Sequence, residues 1–535
     1  MHGFTRLIVF PAVAALAGAA LVACSSEAGT ACSQLADASF DGFSITSAKD
    51  IAQTDSVPAH CEVTAQIPPK ADGWPINLQV DMPADWSGRA VQFGGGGFDG
   101  VIPEPEFPWS TPGAMERFMQ QHNATFSGDS GHDAKNLPVG PEYDTRGGSF
   151  ALKAEALENF GNASERKTYN AAMQIIVAHY GSKPKWTYFV GFSQGGKEAM
   201  QGAQKHGEDY DGMLIGDPAL NLTGLMLLHH KVTQDFYANG GENWINPTLA
   251  RKAADLSVAQ CDELDGLKDG WIGNFEACKP DFSELVCGDE TSAECLTPGQ
   301  LAALNGIAEP FTLDYQLPSG LSSHAGYSWG HIDLSGAYIG ARQQPSLPVA
   351  NQGGVRDAFV YALGDGYVRF FVAGDEKYAT LDFDPNAPQW RDRIMELSSI
   401  IDATNPDLSK LADHGGKMIL YAGGSSEVPP LETAAFYNRV VRTMGEQKAD
   451  DFIRYYVFPN VTHFGSKPDG LPGAADLFPV LQAWVEQGKA PGHLVNTSQD
   501  STKVAERPLC AYPAWPRYNG AGDTSSSESF TCVTD

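Results

Sequence analysis

The chain has 535 residues, 42% of them hydrophobic, and a formal charge of −29. A chain of this size buries a large core and has room for more than one folding unit, and its ordinary hydrophobic content excludes wholesale disorder and a polytopic membrane protein. The charge argues against nucleic acid, whose phosphates need a basic face, and disfavours a polyanionic substrate unless a local Arg or Lys reverses the field.

The N-terminus, "MHGFTRLIVFPAVAALAGAALVACSS", carries Arg6, an apolar stretch, and then Leu21-Val22-Ala23-Cys24. This is the pattern of a secretory signal ending in a lipobox, with residues 1–23 removed, Cys24 lipid-modified and 24–31 left as a tether. An ordinary signal cleaved nearby is the alternative. Ser25 after the cysteine suits the outer membrane of a Gram-negative bacterium, and a freely secreted form is the other expectation. No later stretch approaches the roughly eighteen apolar residues of a membrane span.

Eight cysteines remain in an exported chain: Cys32, Cys61, Cys261, Cys278, Cys287, Cys295, Cys510 and Cys532. An even number in an oxidising compartment reads as a disulfide framework. Sequence leaves the connectivity open, but the eight fall into four local couples, and pairing of neighbours is the simplest arrangement. Zinc is disfavoured because there is no CxxC pair and no His at ligand spacing.

Strand-like and helix-like segments then alternate. "INLQVDMP" and "GRAVQFGGGG" read as strands, "GNASERKTYNAAMQIIVAHYG" as a helix, "KWTYFVG" as a strand, "QGGKEAMQGAQKHG" as a helix and "YDGMLIGDP" as a strand. Such alternation implies a largely parallel sheet covered by helices. From about 220 to 408 the pattern breaks into segments rich in Gly, Pro, Cys and aromatics with no sustained period. It resumes with the strand "GGKMILYAGG", the helix "LETAAFYNRVVRTMG", the strand "DFIRYYVFP" and the helix "AADLFPVLQAWVEQG". The tail reads as coil held by its own cysteine pair. The organisation predicted is an α/β-hydrolase core in two parts, 32–219 and 409–535, with a lid domain at 220–408 inserted between them.

"YFVGFSQGGKEAM" supplies the parts of a nucleophile elbow: a strand, the turn Gly191-Phe192-Ser193-Gln194-Gly195, and a helix. Gly-x-Ser-x-Gly alone is a weak signal, and a plain structural turn is the competing reading. The strand–helix setting makes Ser193 the candidate nucleophile. An oxyanion hole should combine the N–H of Gln194 with one from "FGGGGFDG", where Gly96 or Gly97 is the expected donor. No Gly-Lys-Ser/Thr follows that loop, which disfavours phosphate binding. "FIRYYVFPNVTHFG" places His463 after the last core strand as general base. "MILYAGGSSEVPP" offers Ser426 and Glu427 after the preceding strand, and no Asp. Glu427 is therefore the expected acid, since Glu can orient a His as Asp does. In "CDELDGLKDGWI", Asp262, Asp265 and Asp269 bring three hard-oxygen ligands to a short loop that suits Ca²⁺ without EF-hand spacing. A solvated acidic turn is the bland alternative.

These segments, with "GDSGHD", "DYDGMLIGDP", "DATNPDLSKLADHGGKMILYAGG", "VTHFG" and "RPLCAYP", resemble the tannase/feruloyl esterase family over nearly the whole mature sequence. The resemblance implies an α/β-hydrolase core with a large lid, a Ser/acid/His triad, and hydrolysis of esters of aromatic carboxylic acids without an organic cofactor. It implies the disulfides 32–61, 261–278, 287–295 and 510–532. It also implies one structural Ca²⁺ in the lid, held by the three Asp side chains and the carbonyls of Leu267 and Trp271.

Two departures stand out. Members of the family carry Cys directly before the nucleophile and directly after the His, joined in a disulfide; this chain has Phe192 and Phe464, expected to pack together instead. The family's acid loop reads Gly-x-x-Asp, whereas Gly423-Gly424-Ser425-Ser426-Glu427 is about one residue shorter and puts Ser426 at the Asp place. A substrate with a free carboxylate would also need a cation, for which Arg356 or Arg369 is a candidate, a surface ion pair being the competing and favoured reading of each. The expected partner is a small aromatic ester, with membrane contact only through Cys24. The rival reading is a binding protein that kept the fold but lost an efficient triad.

Overall fold

The chain forms a nine-stranded sheet: β1 (Ser44–Ile51), β2 (His60–Ile67), β3 (Ile76–Pro83), β4 (Arg89–Phe93), β5 (Ala124–Gly128), β6 (Trp186–Phe192), β7 (Gly212–Gly216), β8 (Lys417–Gly423) and β9 (Ile453–Phe458). This is seen in a computed structural model that describes residues 1, 3, 29–103, 114–136, 147–290, 292–334, 339, 358–463, 465, 472–473, 475–498 and 505–534. The spatial order is β1-β2-β3-β5-β4-β6-β7-β8-β9. β1, β2, β3 and β5 pair antiparallel, and every pair from β5/β4 onward is parallel. This is an α/β-hydrolase-type sheet.

The parallel strands are covered on both faces, which is why β7 is buried at every position and reads as a continuous run without alternation. Helices α1 (Ser164–Tyr180) and α2 (Gln194–His206) follow strands as expected. One apolar cluster joins α2 to β6–β9, and another joins the opposite face to the helix Leu477–Gln487. Register aligns Phe192 with Gly216 and Gly423 with Phe458, so the C-terminal ends of β6 to β9 share one edge. Loops leaving that edge are where an α/β sheet binds ligands.

Between β7 and β8, the described residues of 220–408 add no strand to the main sheet. The segment is more regular than its sequence suggests: α3 (Leu222–Gly241), a helix at Pro247–Cys261 and another at Pro388–Ile401 pack into one apolar cluster that also takes in Phe98, Phe150 and Phe160 from the preceding part of the chain. The tail also departs from coil. It forms two small antiparallel ladders, Leu494–Thr497 with Glu506–Leu509 and Trp515–Tyr518 with Phe530–Val533. All four neighbour pairings of cysteine are present: Cys32–Cys61, Cys261–Cys278, Cys287–Cys295 and Cys510–Cys532. Cys24 lies outside the described residues, and among those described no helix is long and apolar enough to cross a membrane.

Candidate active site

Ser193 stands between β6 and α2 with φ 59° and ψ −122°, a conformation that costs a non-glycine residue on the order of 1–3 kcal/mol and persists where surrounding structure enforces it. The enforcement is visible. Ser193 donates its N–H to the Gly216 carbonyl at 2.9 Å, and its own carbonyl accepts from Lys197 and Ala219 at 3.1 Å each. A Cβ on Gly191 would lie 2.1 Å from the Gly195 carbonyl oxygen, and one on Gly195 would lie 2.6 Å from that of Gly95, so elbow and glycine loop touch backbone to backbone.

That loop is pinned in turn. Gly95 donates to Glu198 Oε2 at 3.1 Å, Gly195 donates to the Gly95 carbonyl at 3.1 Å, and the Gly96 carbonyl accepts from Asp99 at 2.8 Å. Asp99 is buried beside Glu198, and burial followed by that like charge pushes its carboxyl well up. Gly97, with φ 60°, and Gln194 both face the cavity beside Ser193. Among the described residues their N–H groups bond no backbone carbonyl, and they sit where α2 presents its positive end.

His463 follows β9 and meets the serine: its Nε2 lies 3.0 Å from Ser193 Oγ. On the other side of the ring, Nδ1 is 3.2 Å from Ser426 Oγ and 3.3 Å from Asp217 Oδ2. Glu427, the acid expected from sequence, takes a different place. Its Oε2 accepts the backbone N–H of His463 at 2.9 Å, its Oε1 has no partner, and burial pushes the group up to about 8. The short loop explains the difference: Ser426 already occupies the place beside the imidazole, and the next side chain turns beneath the His463 backbone. Asp217, one residue past β7, was not singled out in the sequence. Its signal is its place, an Asp at the C-terminal end of a buried parallel strand, "DGMLIGDP".

The profile of the family described as tannase and feruloyl esterase matches residues 61–533. The chain belongs to the tannase and feruloyl esterase family. With that family it is a carboxylic ester hydrolase. An uncharacterized esterase of Agrobacterium fabrum is 32% identical over 491 residues, covering 89% of this chain and 86% of the relative. The mono(2-hydroxyethyl) terephthalate hydrolase of Piscinibacter sakaiensis is 28% identical over 535 residues, covering 90% and 86%. Among solved structures, feruloyl esterase B from Aspergillus oryzae shares the fold with a TM-score of 0.76 at 20% identity, covering 93% of this chain and 98% of that one.

Against this tannase and feruloyl esterase background the two departures take concrete form. The Phe192 ring packs on the His463 imidazole itself, with centroids 4.8 Å apart and planes tilted by 34°. Phe464 lies outside the described residues. The cavity in front of Ser193 is narrow, with about 20 Å³ of free space, and is lined by apolar side chains from the sheet core and the inserted segment, among them Phe98, Leu222, Met226, Phe359 and Leu363. His229 also lines it; Nε2 is 3.3 Å from the Glu427 carbonyl, and burial lowers the imidazole to about 3, so the ring is neutral and donates there. Of the two arginines considered for a substrate carboxylate, Arg369 is buried against Asp365 at 2.7 Å, and Arg356 lies outside the described residues.

The acidic loop, closed by Cys261–Cys278, holds Asp262, Asp265 and Asp269 together. Asp262 Oδ1 accepts the N–H groups of Asp269 and Gly270 at 3.1 and 2.7 Å. Asp265 accepts those of Leu267 and Gly273 at 3.1 and 2.7 Å, and Asp269 pairs with buried Arg507. Burial, with the charges of Asp269 and Asp262 adding to it, pushes Asp265 up to about 7. All-oxygen donors on one tight turn, with more buried negative charge than Arg507 balances, suit a hard cation chemically. Among the described residues the three carboxylates do not converge within 4.8 Å of one another; they are turned onto N–H groups and the guanidinium.

Proposed function

We propose that the protein is an exported serine esterase that hydrolyses esters of aromatic carboxylic acids. The observation that carries this reading is the 3.0 Å approach of Ser193 Oγ to His463 Nε2, at a strained elbow facing an apolar cavity. As Oγ bonds to the ester carbonyl carbon, its proton passes to Nε2. The carbonyl π electrons move onto oxygen, where the N–H groups of Gln194 and Gly97 receive the charge. Collapse breaks the bond to the alkoxy oxygen, which takes the proton from Nε2 and departs as an alcohol. Water then attacks the acyl-enzyme, giving a proton to the same nitrogen. The second collapse returns that proton to Ser193 and frees the acid.

The substrate class follows from the apolar lining and from relatives named for feruloyl and terephthalate esters. Among the described lining residues none is cationic, which favours an uncharged acyl group over one with a free carboxylate. Export is supported by four disulfides. The membrane contact proposed is a lipid on Cys24, and Ca²⁺ is proposed as a structural ion held by Asp262, Asp265, Asp269 and the carbonyls of Leu267 and Trp271.

A fluorophosphonate probe tests the central claim. Labelling of the purified protein that disappears in Ser193→Ala, together with turnover of methyl benzoate-type esters, is expected. A wild type that neither labels nor cleaves any aryl-acid ester overturns it.

A further inference from the structure

On the reading that Ser193 and His463 react, the imidazole needs a group at Nδ1 that fixes its tautomer and balances the charge it gains. Three side chains come near it. Glu427 is engaged with the His463 backbone N–H at 2.9 Å and its other oxygen has no partner, so it ties the loop without bonding Nδ1. Asp217 does face the ring, with Oδ2 at 3.3 Å from Nδ1. Its other oxygen accepts the Gly423 N–H at 2.9 Å, and its backbone N–H bonds the Tyr421 carbonyl at 2.8 Å. It is also held at φ 38°, a left-handed conformation unusual for Asp.

We propose that the acid of this triad has moved from the loop after β8 to the end of β7: Asp217 is the positioning carboxylate of His463, and Ser426, standing at the vacated place, bridges the two. The sheet makes the move possible. β7 and β8 are adjacent and parallel, with Gly216 opposite Tyr421, so a side chain leaving either strand end can reach the same imidazole. Ser426 Oγ accepts the Val428 N–H at 3.0 Å and lies 3.2 Å from Nδ1. It also reaches Asp217, whose carboxyl burial holds above its ordinary value against the His463, Gly423 and Ser426 contacts that favour the charged form. Nδ1–H is thus shared between a hydroxyl and a carboxylate, at distances that catalytic hydrogen bonds shorten once substrate is bound. The proton stays on Nδ1 throughout; Asp217 balances charge and does not take it.

The test is kinetic and uses the full chain with an aryl-acid methyl ester. Asp217→Asn should lower kcat by about 10³–10⁴ with KM little changed, the signature of an interaction made in the transition state. Glu427→Gln, which keeps an acceptor for the His463 N–H, should cost far less. Returning the acid by combining Ser426→Asp with Asp217→Ala should recover roughly tenfold or more over Asp217→Ala alone, an effect that a merely structural role would not give. If Asp217→Asn does not fold, the double variant decides. A deep loss in Glu427→Gln beside a nearly unaffected Asp217→Asn overturns the assignment, and so does a double variant no better than Asp217→Ala. A wild type inert to ester and probe alike strikes the esterase reading instead.

Discussion

A methyl group at Gly191 has nowhere to go: its carbon would sit 2.1 Å from the Gly195 carbonyl oxygen and 2.5 Å from the carbon bearing it. Those atoms are backbone inside the elbow and cannot swing aside as a side chain would. Gly191→Ala should therefore destabilise by about 3 kcal/mol or more, at or above the usual upper end for overpacking, and abolish probe labelling because Ser193 is displaced. Thermal melting and labelling on the same preparation check it; wild-type values for both would mean that the turn relaxes at no cost. The same residue scale shows what sequence can carry. Ser193 was legible because its neighbours are constrained by local geometry, and His463 because it follows a strand in the right order. Asp217 was not, because what makes it matter is the pairing of β7 with β8, a relation across some two hundred residues. Glu427 looked right by type and order, yet one missing residue in its loop rotates it from the imidazole to the backbone behind it.

At the scale of elements, β4 and β6 to β9, the strands that carry the site, announced themselves as short apolar runs bounded by turn residues, whereas β2 and β5 did not. Nor did the lid. α3 is buried on nearly every side, so apolar residues occupy all its faces and the contrast that marks an amphipathic helix is missing. β1 escaped notice for the opposite reason: its residues are largely exposed and polar, and neighbouring β2 is what defines it. The acidic loop is the element whose behaviour is easiest to change from outside. Its three carboxylates hold one another's backbone and one guanidinium, and Asp265 is pushed up to about 7 where a cation would draw it down. Added Ca²⁺ should raise the melting temperature, by roughly 2–4 °C for each kcal/mol of binding energy in a domain of a few hundred residues, and EDTA should remove the gain. Identical melting in both would take the ion out of the account. Asp265→Asn should abolish any calcium response.

Over the whole molecule, the buried carboxyls set a direction for stability against pH. Glu165 and Glu427 are pushed up to about 8 and Asp129 and Asp265 to about 7, burial being the first cause in each case. A carboxyl whose folded value lies above its unfolded one is protonated in the fold while the unfolded chain has already released its proton. Between those two values the unfolded state binds fewer protons, so stability falls as pH rises, and it levels off once the folded value is passed. Buried histidines act in another window. His132 and His229, lowered to about 3, and His230, lowered to about 4, are neutral in both states above pH 6.5 and cost stability only below it. From pH 6.5 to about 8 these carboxyls lower stability as pH rises, and the self-repulsion of a chain with formal charge −29 works in the same direction. The melting temperature in EDTA should fall steadily across that interval and flatten above it. Added salt should recover the part due to surface repulsion, which is screened, while the part due to buried groups persists. A melting temperature that rises from pH 6.5 to 8 would mean that these carboxyls are ionised in the fold, each with a partner able to hold its charge.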